Sequence, residues 1–129
     1  MRLMLLCCLV MLCLGCGESS GTIPTVQAEA GGGMNQLRDL MVEAASSGPP
    51  LKKKADVAEY EGRYPDAVAG VNDDSLTIVW GKGIREGIGD DAAIVAHQTN
   101  PGSDGVWVVL ENSELKKLSS DEFKSKLDK

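Results

Sequence analysis

The spacing of apolar residues changes near residue 72, and this change restricts the possible folds more than any other feature of the chain. From Met34 to Ala44, apolar residues recur three and four positions apart, which predicts an amphipathic helix. After residue 76 they alternate with polar residues or form short runs, which predicts strands. No long crossover segment separates these strands, so a parallel nucleotide-binding sheet is disfavoured. We therefore expect an α+β domain with an N-terminal helix, short helices, a four-stranded antiparallel meander and a C-terminal helix.

Turn and capping residues predict where these elements begin and end. Residues 46–50, Ser-Ser-Gly-Pro-Pro, should end the first helix, because residues before proline avoid helical angles. Pro65 suits the first position of a short helix, and Ser119 with Glu122 forms a capping box for the last helix. The short helices are predicted over residues 55–60 and 66–71, and the strands over residues 76–80, 92–97, 106–110 and 114–118.

The first sixteen residues have the features of an export signal. Met1 and Arg2 supply a positive charge, and residues 3–14 form an unbroken apolar run of twelve. A membrane-spanning helix needs about 20 apolar residues, so this run is too short to cross a bilayer. It has the length of a signal-peptide core, which places the chain in a bacterial envelope or outside the cell.

The run ends in Leu12-Cys13-Leu14-Gly15-Cys16, which resembles the lipobox of bacterial lipoproteins. The resemblance implies that Cys16 receives diacylglycerol and, after cleavage, acyl chains such as palmitate. It divides the chain into a signal peptide (1–15), a lipidated cysteine with a flexible tether (16–33) and a domain (34–129), tethered to a membrane and facing the periplasm or exterior. The alternative is a secreted, non-lipidated periplasmic protein, cleaved after Ala28-Glu29-Ala30.

Charge and cysteine usage exclude several functions for the domain. The chain has 13 basic and 19 acidic residues, a net charge of −6, which opposes binding to nucleic-acid phosphates. The lysine run 52–54 lies among acidic residues and is interpreted as a solvated segment. All four cysteines lie within residues 1–16, so none remains in the domain for a disulfide, a zinc site or a nucleophile.

The predicted strands carry both tryptophans and the single histidine. Alternation places Trp80 and Trp107 in the core, and an aromatic binding surface is the alternative. Val95 and His97 are two residues apart and are expected on one face of a strand. A lone histidine without domain cysteines does not make a zinc site, so we interpret His97 as a half-exposed structural residue.

The loop after the first predicted strand does not fit the phosphate-binding motifs. Residues 81–87, Gly-Lys-Gly-Ile-Arg-Glu-Gly, have Glu86 where the dinucleotide fingerprint needs glycine, and they lack the spacing of a P-loop. They are therefore interpreted as a flexible connection. The acidic residues of the neighbouring loops lack the calcium-loop spacing, although a weak calcium site is an alternative: Asp73, Asp74, Glu86, Asp90 and Asp91. We expect no catalytic residue, metal or cofactor.

Residues 49–127 also resemble a group of short bacterial envelope lipoproteins, some with pilin-like C-terminal halves. The resemblance is carried by Trp80-Gly81, by Ile94-Val95-Ala96 and by residues 118–123. It implies the fold and the location, and no activity. We expect a membrane-tethered, non-catalytic interaction or structural module that contacts an envelope protein or the cell wall. An accessory subunit related to pilin or secretion machinery is the alternative.

Overall fold

The computed structural model describes the backbone of residues 25–129 and the side chains of residues 31–129. The predicted signal peptide, Cys16 and the first part of the predicted tether lie outside the described residues. The described chain has an α+β fold with an antiparallel sheet in the order β1-β2-β3-β4, as the periodicity predicts. Its elements are α1 (Thr25–Ser47), a 3₁₀ helix (Lys54–Tyr60), α2 (Pro65–Asn72), β1 (Leu76–Ile78), β2 (Ile94–Gln98), β3 (Val106–Leu110), β4 (Leu115–Leu118) and α3 (Ser120–Leu127).

Helix α1 begins earlier than its apolar stripe indicates. Its backbone is helical from Thr25, whereas the sequence predicts a coil up to residue 33. A kink at Gly31, where φ is +78° and ψ 165°, divides the helix in a conformation that glycine tolerates. The predicted stripe lies against the rest of the protein, since all five of its members are buried: Met34, Leu37, Leu40, Met41 and Ala44.

Helix α2 packs against α1, and the 3₁₀ helix packs against α2. The predicted helix at residues 55–60 is a single 3₁₀ helix that buries Val57 and Tyr60. Helix α2 begins at Pro65, as predicted, and its first two amides donate to the side-chain carbonyl of Gln36 in α1 at 2.8 and 3.3 Å. Gln36 therefore caps the start of α2, because the side chain of Tyr64, the residue at the N-cap position, makes no capping hydrogen bond.

The sheet contains one irregularity that the sequence does not reveal. Ile94 pairs with Leu110 while Ala96 pairs with Val109, so Val95 is an extra residue in β2, a β-bulge. Because the bulge interrupts the alternation, Val95 and Ala96 both pack on the α1 side of the sheet. His97 lies on the other side, against Phe123. The prediction that Val95 and His97 share a face is therefore wrong.

Both faces of the sheet are covered. On one face, α1, α2 and the 3₁₀ helix bury residues from all four strands, including Trp107. On the other face Phe123 of α3 and Ile88 of the long β1–β2 loop cover a smaller cluster: Ala92, Ile94, Val106, Val108, Leu110 and Leu118. The capping box predicted for α3 is present, because the Ser119 hydroxyl accepts from the Glu122 amide and the Glu122 carboxylate accepts from the Ser119 amide. Within residues 25–129, no helix has the length and apolar character needed to span a membrane.

Candidate functional site

A cleft of about 480 Å³ opens beside the C-terminal end of α1. One wall is the last turns of α1 and the segment that follows it, and the opposite wall is the first half of the β1–β2 loop. The floor is formed by Ala93, just before β2, and Glu111, just after β3. The full lining is Met41, Ala44, Ala45, Gly48, Pro50, Leu51, Gly81, Lys82, Gly83, Ile84, Arg85, Ala93, Glu111 and Lys129.

Backbone hydrogen bonds fix the wall that the β1–β2 loop provides. The Lys82 amide donates to the Val79 carbonyl at 3.1 Å and closes a tight turn, in which Gly81 has φ +86°. A glycine at the third position of such a turn adopts this conformation without steric cost. The Gly81 amide donates to the Leu51 carbonyl at 2.8 Å, which joins the two walls directly. The loop predicted as a flexible connection is therefore bonded to the segment after α1.

An ion pair joins this loop to the floor of the cleft. The Arg85 Nε and Nη2 atoms lie 2.6 and 2.5 Å from Oε2 of Glu111, whose side chain is only 10% exposed. The other carboxylate oxygen, Oε1, accepts from the Ala93 amide at 3.0 Å. The Arg85 amide also donates to the Glu111 carbonyl at 2.7 Å. The buried charge of Glu111 is thus balanced by one cation and a backbone donor, as a buried carboxylate requires.

The cation side of the cleft remains open to solvent. Arg85 uses one edge of its guanidinium for Glu111, and its side chain is 67% exposed. In the part of the chain that the structure describes, the Arg85 Nη1 atom and the Lys82 and Lys129 ammonium groups make no hydrogen bond or ion pair. Apart from Lys129, the last residue of the sequence, the cleft has two cations, Lys82 and Arg85, and one carboxylate, Glu111, although the whole chain is acidic.

A second cleft on the other side of Pro50 and Leu51 has a different charge. Its volume is about 440 Å³, and its lining includes the carboxylates of Asp56 and Glu59 beside Lys52. Asp56 accepts from the Lys52 and Lys53 amides at 2.9 and 3.2 Å, which fixes the start of the 3₁₀ helix. This second cleft has no cation excess, so the first is the candidate binding site.

The described functional candidates from the sequence lie at different places in the structure. Cys16 lies outside the described residues. Trp80, predicted in the core, is 37% exposed, because β1 ends at Ile78 and Trp80 occupies the second position of the Val79–Lys82 turn. That prediction is wrong for Trp80, whereas Trp107 is buried as predicted.

His97 is half-buried and has structural contacts, as predicted. Its Nδ1 atom donates to the Gln98 carbonyl at 2.7 Å, and its ring meets the edge of Phe123 with 4.9 Å between centroids. It does not line the cleft, and the contact with Phe123 attaches α3 to the sheet.

The acidic loop residues are not gathered into one site. Asp74 pairs with Lys54, and hydrogen bonds from Ser75 lower the pKa of Asp73 below its usual value. In residues 31–129, no group of three or more histidine, cysteine, aspartate or glutamate side chains has a metal-binding arrangement. These carboxylates therefore give no support to the calcium alternative.

Sequence reasoning missed Glu111. It follows the most apolar strand of the chain and precedes a turn, where a carboxylate is ordinary, and its partner Arg85 is 26 residues away. The one local signal is Ile84, an apolar residue in a polar loop, which packs against the main core.

The chain matches no protein-family model, and neither the curated proteins nor the solved structures include a significant match to it.

Proposed function

We propose that this protein is a bacterial envelope lipoprotein, held to a membrane by lipid on Cys16, whose domain is a non-catalytic binding module. The observation that carries the proposal is the twelve-residue apolar run that ends in Gly15-Cys16. Such a run is too short to span a bilayer and has the length of a signal-peptide core, and the small residue before cysteine resembles a lipobox. A cysteine that bears several acyl chains gives a stable anchor, whereas one chain gives a marginal one.

The lining of the cleft supports binding rather than turnover. Its walls are mainly aliphatic, and its polar side chains are its cations and Glu111, which already accepts bonds from Arg85 and Ala93. Clefts with apolar walls and a few placed polar groups are typical of binding sites for small molecules or short segments of a partner. An envelope protein or a cell-wall component is the partner class we propose for the tethered domain.

Intact mass spectrometry of the protein purified from a bacterial membrane tests the anchor. We expect a chain that begins at Cys16 and carries the mass of diacylglycerol. Cys16→Ala should remove the lipid mass and the membrane association. Cys13→Ala is the matched control and should leave both unchanged, because Leu12, which precedes Cys13, is not small. An unmodified, soluble chain that begins at residue 31 would contradict the proposal and favour a secreted periplasmic protein.

A second candidate is an accessory subunit of pilin or secretion machinery. The observation that favours it is the packing of one long helix, α1, across a face of an antiparallel meander. Chemical crosslinking in living cells, followed by purification of this chain, tests it. Recovery of a pilus or secretion component supports this candidate, and recovery of other envelope proteins alone contradicts it.

A further inference from the structure

We propose that the cleft beside α1 binds a small carboxylic acid that has an aliphatic chain of medium length. This inference gives the proposed binding module a ligand class, and it depends on the geometry of residues 41–129 rather than on the lipid anchor. The volume of about 480 Å³ lies within the range of small-molecule sites, about 300–1,000 Å³.

The charge of the cleft selects an anion. Glu111 offsets the charge of Arg85, so the net attraction comes from Lys82, whose ammonium group makes no ion pair with any described residue. An anion that enters the cleft therefore meets an unpaired cation on a protein whose net charge is −6. Electrostatic complementarity of this kind favours binding of the ion with the opposite charge.

The pair with Glu111 also orients Arg85. Because Nε and Nη2 are bound to the Glu111 carboxylate, the planar guanidinium is held in one direction, and the edge that carries Nη1 remains free. A guanidinium edge binds a carboxylate through two parallel hydrogen bonds. Arg85 would therefore bridge Glu111 on one side and the ligand carboxylate on the other.

The walls select an aliphatic chain. The side chains that face the cleft from α1 and the segment after it include Met41, Ala44 and Leu51, and Ile84 faces them from the β1–β2 loop. The described lining contains no aromatic ring for a sugar to stack on, and beyond the charged groups it offers no side-chain hydroxyl or amide to a peptide. Methylene groups need no hydrogen-bond partner, so an alkyl chain loses least when it enters this cleft.

Methyl NMR of the purified full chain labelled with 13C at alanine methyl groups tests the site directly. The chain is studied in phosphatidylcholine nanodiscs if it is membrane-bound and in buffer if it is soluble. Octanoate is the probe, and octan-1-ol is the neutral control of equal length. We expect octanoate to shift the methyl signals of Ala44, Ala45 and Ala93 saturably, while Ala69 on α2 stays unchanged. Octan-1-ol should bind at least about tenfold more weakly, because it lacks the charge.

Two matched variants separate the cleft from general charge effects. Lys82→Glu reverses a cleft charge without disturbing the Arg85–Glu111 pair, and should weaken octanoate binding about tenfold. Lys116→Glu reverses an exposed charge on β4, outside the cleft, and should leave the affinity unchanged.

Three outcomes would overturn the inference. They are the absence of a saturable shift at the cleft alanines, equal binding of octanoate and octan-1-ol, and an affinity that Lys82→Glu does not change. If the dipeptide acid N-acetyl-Leu-Leu binds the cleft and octanoate does not, the ligand is a peptide terminus and the alkyl acid is rejected. None of these results alters the mass expected on Cys16, so the two proposals fail separately.

Discussion

Replacement of Arg85 by methionine should cost the protein about 2 kcal/mol of unfolding free energy. The change leaves Glu111, which is 8% exposed, with the Ala93 amide as its one remaining donor. Breaking a fully buried ion pair costs about 3–5 kcal/mol, and a hydrogen bond to a charged group contributes about 1.5–3 kcal/mol. Because the Arg85 side chain is 67% exposed, water reaches the position it vacates. We therefore expect a loss within the second range, that of a single hydrogen bond to a charged group.

The matched control is Lys54→Met, which removes a cation from the exposed pair with Asp74. The two side chains of that pair are 48% and 75% exposed, so the loss should be about 0.5 kcal/mol or less. Raising the salt concentration to about 1 M should screen the exposed pair and leave most of the cost of Arg85→Met.

Urea unfolding, followed through the methyl NMR signals of the fully buried Ala67 and Ala96, measures both losses. The double variant Arg85→Met with Glu111→Gln should lose at least about 1 kcal/mol less than the sum of its two single variants, because each single change leaves an unpaired partner. A coupling below about 0.3 kcal/mol would refute the reasoning. A loss for Arg85→Met no larger than that for Lys54→Met would refute it as well.

Two further changes test the packing and the helix cap. Gly70→Ala should cost about 1–3 kcal/mol in urea unfolding, because a Cβ at residue 70 would lie 2.6 Å from Cδ1 of Leu76, while Gly62→Ala, with nothing within 4 Å, should stay within about 0.5 kcal/mol. Hydrogen bonds from Ser119 lower the pKa of Glu122 below its ordinary value of 4.5, so the cap stabilises α3 above that pH and is lost as pH falls through the lowered pKa. Amide exchange of α3 between pH 6 and about pH 3 should show this loss, and Glu122→Gln should abolish it.

Local patterns were sufficient to predict most of the elements. The stripe from Met34 to Ala44, Pro65 at the start of α2 and the Ser119–Glu122 box depend on neighbours within a few residues. The antiparallel meander was predicted because no segment between the strands has the apolar spacing of a crossover helix, and the longest segment, the β1–β2 loop, is rich in glycine. These features were correct because tertiary contacts reinforce the local preference.

Where packing overrides local preference, the sequence predictions failed. Gly32 and Gly33 indicate a coil, but they lie in α1, where a Cβ at Gly33 would lie 3.5 Å from Cδ1 of Leu76. Strong helix formers in the four residues 27–30 also favour an earlier start. Trp80 fits the alternation of β1, but the turn that Gly81 permits removes it from the sheet. A turn-forming glycine directly after an apolar residue was the sequence signal that could have shown that Trp80 lies in a turn.

The cleft itself was beyond sequence reasoning, because it depends on a change of register. The bulge at Val95 shifts the pairing of β2 with β3, and this shift places Ala93 opposite Glu111. The Glu111 amide donates to the Ala93 carbonyl, and the Ala93 amide donates to the Glu111 carboxylate. A bulge has no fixed signature in a short apolar strand, so neither this pairing nor the position of Arg85 follows from local patterns.

Arg85 both holds the cleft together and would contact an anion, whereas Lys82 would only attract the anion, so Lys82 separates binding from stability. Glu111 and Arg85 attach the loop to the sheet, and Arg85 would also contact the ligand, so their variants should change both stability and binding. Lys82 makes no side-chain bond to any described residue, so its reversal should change binding with little effect on stability. If Lys82→Glu weakens octanoate binding and leaves urea unfolding within about 0.5 kcal/mol of the unchanged protein, the lysine is there for a ligand. If it alters neither, the Arg85–Glu111 pair is a structural clamp, and the cleft is a consequence of how the loop packs.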